Sequence, residues 1–337
     1  MLMRPWLIAA TIVAAGCGGR ASERLPTSDE PTASALKVER DLLLPGSTGR
    51  FDYQSLDPAN RTLWIAHLGD SSVLAVDLAT GRVSEIPDVG GVHGVLAVPS
   101  RGVVYATATS TNEIVSIDPT KLSITQRAPA GRFPDGLAYD ADHELLLVTN
   151  KLDGAITVHD PTTLALVRTV ELGDETGNVA YDPTSQLGYA TTLPPGELVS
   201  FRPDTGEVVE RLALQGCEGA HGLMLDSAGQ RAFVACEGNA KMLTVDLSTE
   251  SVTAIFKVGD NPDVFAFDPA NQRLMLAAES GEVEWFNTTP ALPESLGRTH
   301  IDGGAHSVAV DPSTKQWFFP LADVDGHPAL RIATLAE

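Results

Sequence analysis

The sequence predicts an all-β, seven-bladed β-propeller, and three observations carry that prediction. A short phrase recurs seven times at near-constant spacing. Each unit between recurrences reads as four short strands. The last unit lacks a strand, and an orphan run near the start supplies it. The phrase is Leu56-Asp57-Pro58, Val98-Pro99, Tyr139-Asp140, Tyr181-Asp182-Pro183, Leu225-Asp226, Phe267-Asp268-Pro269 and Val310-Asp311-Pro312. Its anchors at 57, 98, 140, 182, 226, 268 and 311 are separated by 41, 42, 42, 44, 42 and 43 residues. A period of this size marks a repeat architecture.

Within a unit, the anchor is followed by a turn rich in Asn, Gly, Ser and Asp, such as Ser227-Ala228-Gly229-Gln230. An apolar second run comes next (Leu63-Trp64-Ile65-Ala66, Leu145-Leu146-Leu147-Val148, Ala232-Phe233-Val234-Ala235). A third run ends in Asp, as in Leu74-Ala75-Val76-Asp77, Val115-Ser116-Ile117-Asp118 and Leu243-Thr244-Val245-Asp246. After a Thr-Gly or Ser-Thr turn, a weaker alternating fourth run closes the unit, as in Val252-Thr253-Ala254-Ile255-Phe256. Short β-branched runs between turn residues are strand signals. No apolar period of 3.6 follows residue 36, so helix is expected to be scarce. After Asp311 only three strands remain, whereas Leu36–Leu44 has no unit of its own and resembles a fourth strand. The orphan is expected to complete the last blade and close the ring, leaving no free sheet edge at the seam.

The segment Leu147-Val148-Thr149-Asn150-Lys151 resembles the signature second strand of the YVTN-repeat propellers of bacterial surface and periplasmic proteins. The Val-Asp endings of the third runs fit the same family, and the repeat extends over about residues 36–337. Ala106-Thr107-Ala108 and Ala277-Ala278-Glu279 depart from the signature. The resemblance implies the architecture and names no activity, because propellers host many unrelated ones.

The chain opens with Met1-Leu2-Met3-Arg4, an apolar run from Trp6 to Ala15, and Gly16-Cys17. A charged start, a short apolar stretch and small residues form an export signal, and the run is short for a bilayer span. Val13-Ala14-Ala15-Gly16-Cys17 resembles a bacterial lipobox, with Ala14 in place of the usual Leu. The resemblance implies a signal peptide at 1–16, lipidation of Cys17, and a disordered polar tether at 17–35 before the propeller at 36–337. Gly18 after the Cys is not the Asp that retains lipoproteins at the inner membrane, so the expected location is the outer membrane of the cell envelope. Without Arg4 the chain has 22 Lys and Arg against 44 Asp and Glu, a formal net charge of −22. That acidity excludes nucleic acid and direct adhesion to anionic lipid, leaving the anchor as the membrane contact.

Of three cysteines, Cys17 is assigned to lipid, leaving Cys217 and Cys236 on the fifth unit. Strand pairing through the turn near Ala228-Gly229 is expected to set Cys236 opposite His221 and near Cys217. A disulfide is the expected use in an oxidising compartment, with a Cys/His metal pair as the alternative.

Five residues before each anchor stand Asp52, His93, Asp135, Gly177, His221, Asp263 and His306. This position begins the innermost strand, so three His and three Asp are expected at one rim of the central channel. Second-strand ends on the same face add His67, Asn150, Lys151, Glu237 and Glu279, and Asn178 stands beside Gly177. One reading is a turn scaffold whose side chains hydrogen-bond the backbone of neighbouring blades. The other is a ligand or metal site, since imidazoles and carboxylates bind divalent transition metals. His93, His221 and His306 resemble the three-His zinc plan of peptidyl-hydroxyglycine lyase, although they sit on the second, fifth and seventh units. The function expected first is a monomeric binding or scaffold module for an envelope protein, peptide or glycan. The alternative is a metal-dependent lyase or hydrolase.

Overall fold

The computed structural model describes residues 35–302 and 304–336, so the signal peptide, Cys17 and nearly all of the tether lie outside the described residues. Seven four-stranded antiparallel sheets form the ring. Blade 3 is representative, with strands Pro134–Asp140, Leu145–Asn150, Ala155–His159 and Leu166–Glu171 running from channel to rim. The described helices are single 3-10 turns, such as Lys151–Asp153 after a second strand. Among the described residues no helix is long and apolar enough to cross a membrane.

Blade 7 has the order Leu36–Leu43, His327–Leu335, Gln316–Val324, Ala309–Asp311 from rim to channel. The orphan run is therefore its outermost strand, paired antiparallel from Leu36↔Leu335 to Leu43↔Ala329. Arg331 donates to both oxygens of Asp41 across this seam, at 2.9 and 2.7 Å.

The recurring Asp phrase has a local cause. Asp57 Oδ1 accepts the backbone N–H groups of Ala59 and Asn60, and Asp268 Oδ1 those of Ala270 and Asn271, all at 3.1 Å. The buried carboxylate thus ties the turn that follows its own strand. The third-strand aspartates do the same, as Asp246 does with Ser248 and Thr249. Val98-Pro99 has no carboxylate and turns through the 3-10 segment Pro99–Arg101 instead.

The core lies between blades, in seven clusters that each join two neighbours. Trp64, Trp285 and Trp317 are almost fully buried there. Each large apolar side chain removed from water adds about 1.5–3 kcal/mol.

Cys217 and Cys236 form the disulfide, both of them buried. The register differs from expectation: Cys236 pairs with Ala220, not His221, because the strand is bulged between Ala220 and Leu223. That one-residue step turns His221 into the channel. The bond closes a 19-residue separation inside an already formed sheet. Replacing both cysteines by Ser is expected to cost the low end of about 2–4 kcal/mol, read from urea unfolding. Mass spectrometry without reductant should find the two residues linked.

Candidate functional site at the channel mouth

In blades 2 and 4 a threonine of the second strand fastens the inner strand to the next blade. Thr107 Oγ1 accepts from Gly94 N at 2.7 Å and donates to the Asp135 carbonyl at 2.9 Å. Thr191 Oγ1 accepts from Asn178 N at 3.1 Å and donates to the His221 carbonyl at 2.6 Å. In blades 2 and 5 the residue after the ring position must be glycine. A Cβ at Gly94 or Gly222 would collide with the carbonyl oxygen of Asp135 or Asp263 in the next blade. At these two junctions threonine hydroxyls hold the neighbouring backbone, while ring side chains bond nearby backbone, as Asp52 with Tyr53 N and His93 with the Gly91 carbonyl, and also meet one another.

They meet as a charge network across blades. His221 Nδ1 lies 3.0 Å from Asp263 Oδ1, and its Nε2 lies 3.6 Å from Asp135 Oδ2. His306 donates from Nδ1 to the Gly304 carbonyl at 3.1 Å. Its Nε2 faces Asp52 at 3.8 Å and Asp263 at 4.0 Å. Burial alone would discharge His221, but the Asp263 and Asp135 carboxylates outweigh it and hold its pKa well above the ordinary range. His306 is raised in the same way, burial being overcome mainly by Asp52. Asp263 resists burial because His221, His306 and Arg50 surround it, and its pKa falls to about 2. Four buried atoms, Asp52 Oδ2, Asp135 Oδ1, His221 Nε2 and His306 Nε2, have no partner within hydrogen-bond distance.

Above this floor opens a cavity of about 480 Å³. Asp52, His93, Asp135, His221, Glu237, Asp263 and Glu279 line it, seven of the residues expected there from sequence. Lys151 lines it too, and Arg50 pairs with Glu279 at 2.7 Å on its rim. Tyr53 forms part of the floor, where its hydroxyl donates to Asn178 Oδ1 at 2.7 Å, a bond from blade 1 to blade 4. Burial first, then Asp135, Asp263 and Asp52, keep that phenol protonated.

Other expected residues lie elsewhere. His306 is buried beneath the cavity. His67 is fully buried with its ring stacked on Phe51 at 4.3 Å. Asn150 is equally buried and structural, accepting from Gly131 N at 2.8 Å and donating to Thr157 Oγ1 at 2.9 Å. Among the described residues no three His, Cys, Asp or Glu side chains are placed to hold a metal ion. His93 stays apart from the other two histidines, donating to the Gly91 carbonyl at 2.9 Å with its ring against Phe133.

Arg50, Tyr53 and Phe133 were missed from sequence, yet two had a signal. Two residues before the ring, Gly91, Gly219, Asn261 and Gly304 adopt positive φ. Phe133 holds the same conformation at φ 56, where a bulky side chain is strained, and its ring lines the cavity. Arg50 and Glu175 are the charged departures at this repeat position, and of the two Arg50 lines the cavity.

Fold and site define a seven-bladed β-propeller with a charged channel mouth. No protein-family model and no curated protein sequence matches the chain. Its resemblance to YVTN repeats therefore rests on the repeat and on Leu147–Lys151. By structure, the chain is similar to a chain of hydrazine synthase from Kuenenia stuttgartiensis (TM-score 0.73, 16% identity, 82% of this chain and 94% of that one). It is also similar to a chain of a mitotic checkpoint complex (TM-score 0.75, 10% identity, 99% and 100% covered). At these identities the likeness is one of fold.

Proposed function

We propose that the propeller is an envelope binding module that presents its channel mouth to a protein, peptide or glycan. The observation that carries this reading is the 480 Å³ mouth, where charged side chains of both signs from several blades converge on one rigid concave face. Photo-crosslinking in cells tests it. A benzophenone amino acid at Lys151, on the mouth, should give discrete adducts. The same probe at Asn271, in a turn at the other end of the blades, should give none. No adduct at Lys151, or the same adducts at both positions, would remove the reading. A metal-dependent lyase or hydrolase would need a three-ligand set, which is not assembled among the described residues.

The Cys217–Cys236 disulfide supports an oxidising, extracytoplasmic location. The lipobox-like Val13–Cys17 adds a lipid anchor, with Gly18 favouring the outer membrane. Cys17→Ser is expected to move the protein from the membrane to the soluble fraction. Wild-type protein that already fractionates as soluble, with an unmodified N-terminus, would overturn the anchor.

A further inference from the structure

The junction of blades 2 and 3 is packed unlike the other six. Its buried apolar cluster has six members, Val98, Tyr105, Ile114, Leu146, Val148 and Leu164, whereas the other junctions have ten to thirteen. The missing bulk is a cavity of about 570 Å³, open to the surface and distinct from the channel mouth.

The cause lies at two positions of one strand. The residue paired with the second position of the second strand is Val76, Ile117, Phe201, Val245 or Phe286 in blades 1, 2, 4, 5 and 6, and His159 in blade 3. Two residues earlier, Leu74, Val115, Val199, Leu243 and Glu284 correspond to Thr157, so that position is apolar in blades 1, 2, 4 and 5 and polar in blades 3 and 6. Both replacements point toward blade 2 and line the cavity. Ala128, Ala155, Leu164 and the exposed Leu166 give the rest of the wall its apolar part, and Asn150, Asp153, Thr169 and Glu171 its polar part.

His159 is fully buried, and its Nε2 has no hydrogen-bond partner. Its Nδ1 donates to the Leu164 carbonyl at 3.0 Å, which fixes the tautomer and leaves Nε2 as an acceptor. Burial lowers its pKa and keeps the ring neutral. A repeat that packs Val, Ile or Phe in five blades has here a neutral acceptor beside an apolar space. An unsatisfied buried acceptor costs stability that an apolar side chain would not. The volume falls within the range of small-molecule sites.

We infer that the cleft between blades 2 and 3 is a second binding site, for a small ligand with an apolar body and one neutral N–H or O–H donor that meets His159 Nε2. The donor would supply the bond the ring lacks, and the apolar body would cover Ala128, Ala155 and Leu164. Nothing in it depends on the channel mouth.

Calorimetric titration of the full chain with indole and with 1-methylindole tests this, because the two differ chiefly in the N–H. Saturable one-to-one binding of indole is expected, with 1-methylindole weaker by about tenfold, the worth of one buried hydrogen bond. His159→Phe restores the residue type of Phe201 and Phe286 and should abolish binding with an unchanged or higher melting temperature. Ala155→Leu narrows the cavity without touching the imidazole or the bond from Asn150 to Thr157, should also abolish binding, and decides the matter if the Phe variant does not fold. The site is overturned by an absence of saturable indole binding to wild type. Equal affinity for the two indoles would overturn it too, as would undiminished binding in the folded Ala155→Leu variant.

Discussion

His221→Ala is expected to destabilise the propeller by about 3–5 kcal/mol, more than the size of the side chain accounts for. The imidazole sits between the carboxylates of Asp263 and Asp135, at 3.0 and 3.6 Å, and all three residues are buried. Removing the cation leaves two buried anions near each other, with His306 and Arg50 acting on Asp263. Urea midpoints of wild type and variant measure the loss. His221 and His306 have raised pKa values in the fold, so their contribution is fully present below about 6.5, their unfolded value. It is lost as pH rises through the folded values. Asp263 is depressed to about 2, so its contribution is present above its unfolded value of about 3.9 and lost as pH falls toward 2. The contribution of this network should therefore hold a plateau between about pH 4 and 6.5 and decline on both sides, while the lowered pKa values of buried His67 and His159 add a separate loss as pH falls below about 6.5. The alkaline decline should flatten in a His221→Ala/His306→Ala double variant. An unchanged alkaline limb would show that the imidazoles are not charged in the fold.

Deleting residues 36–44 is expected to cost as much or more, although most of the strand is exposed. It pairs along its length with His327–Leu335 and brings Leu42 and Leu44 against the cluster that joins blades 7 and 1. Losing two leucines from that junction costs about 3–6 kcal/mol before the paired Asp41 and Arg331 are counted. It also leaves the edge of the His327–Leu335 strand open. The truncated protein should unfold at a lower urea midpoint, lose a single cooperative transition, and bind a synthetic peptide of residues 35–44 that restores the midpoint. An unchanged midpoint would mean that the ring does not depend on this seam.

The repeat, the strand count and the closing strand were all legible in the sequence because they rest on local chemistry repeated seven times. Asp57, Asp140, Asp268 and their equivalents tie the turns beside them, and apolar alternation marks each strand. The ring positions were legible for the same reason, since a fixed offset from a repeated turn is a fixed place in the fold. Cys217 and Cys236 could be paired because one short hairpin joins them. What the side chains at those places do depends on distances across the channel, between residues far apart in the chain, and only the tertiary structure decided that. It placed His221 and His306 on a shared Asp263 and left His93 beside Phe133. It turned Asn150 and His67 inward, the amide bonding Gly131 N and Thr157 Oγ1 and the imidazole stacking on Phe51. It set Cys236 opposite Ala220 through a bulge that alternation alone does not reveal. The cavity beside His159 is of the same kind. The sequence contains the departure from the repeat, but whether the neighbouring blade fills the missing volume is a matter of packing between two sheets.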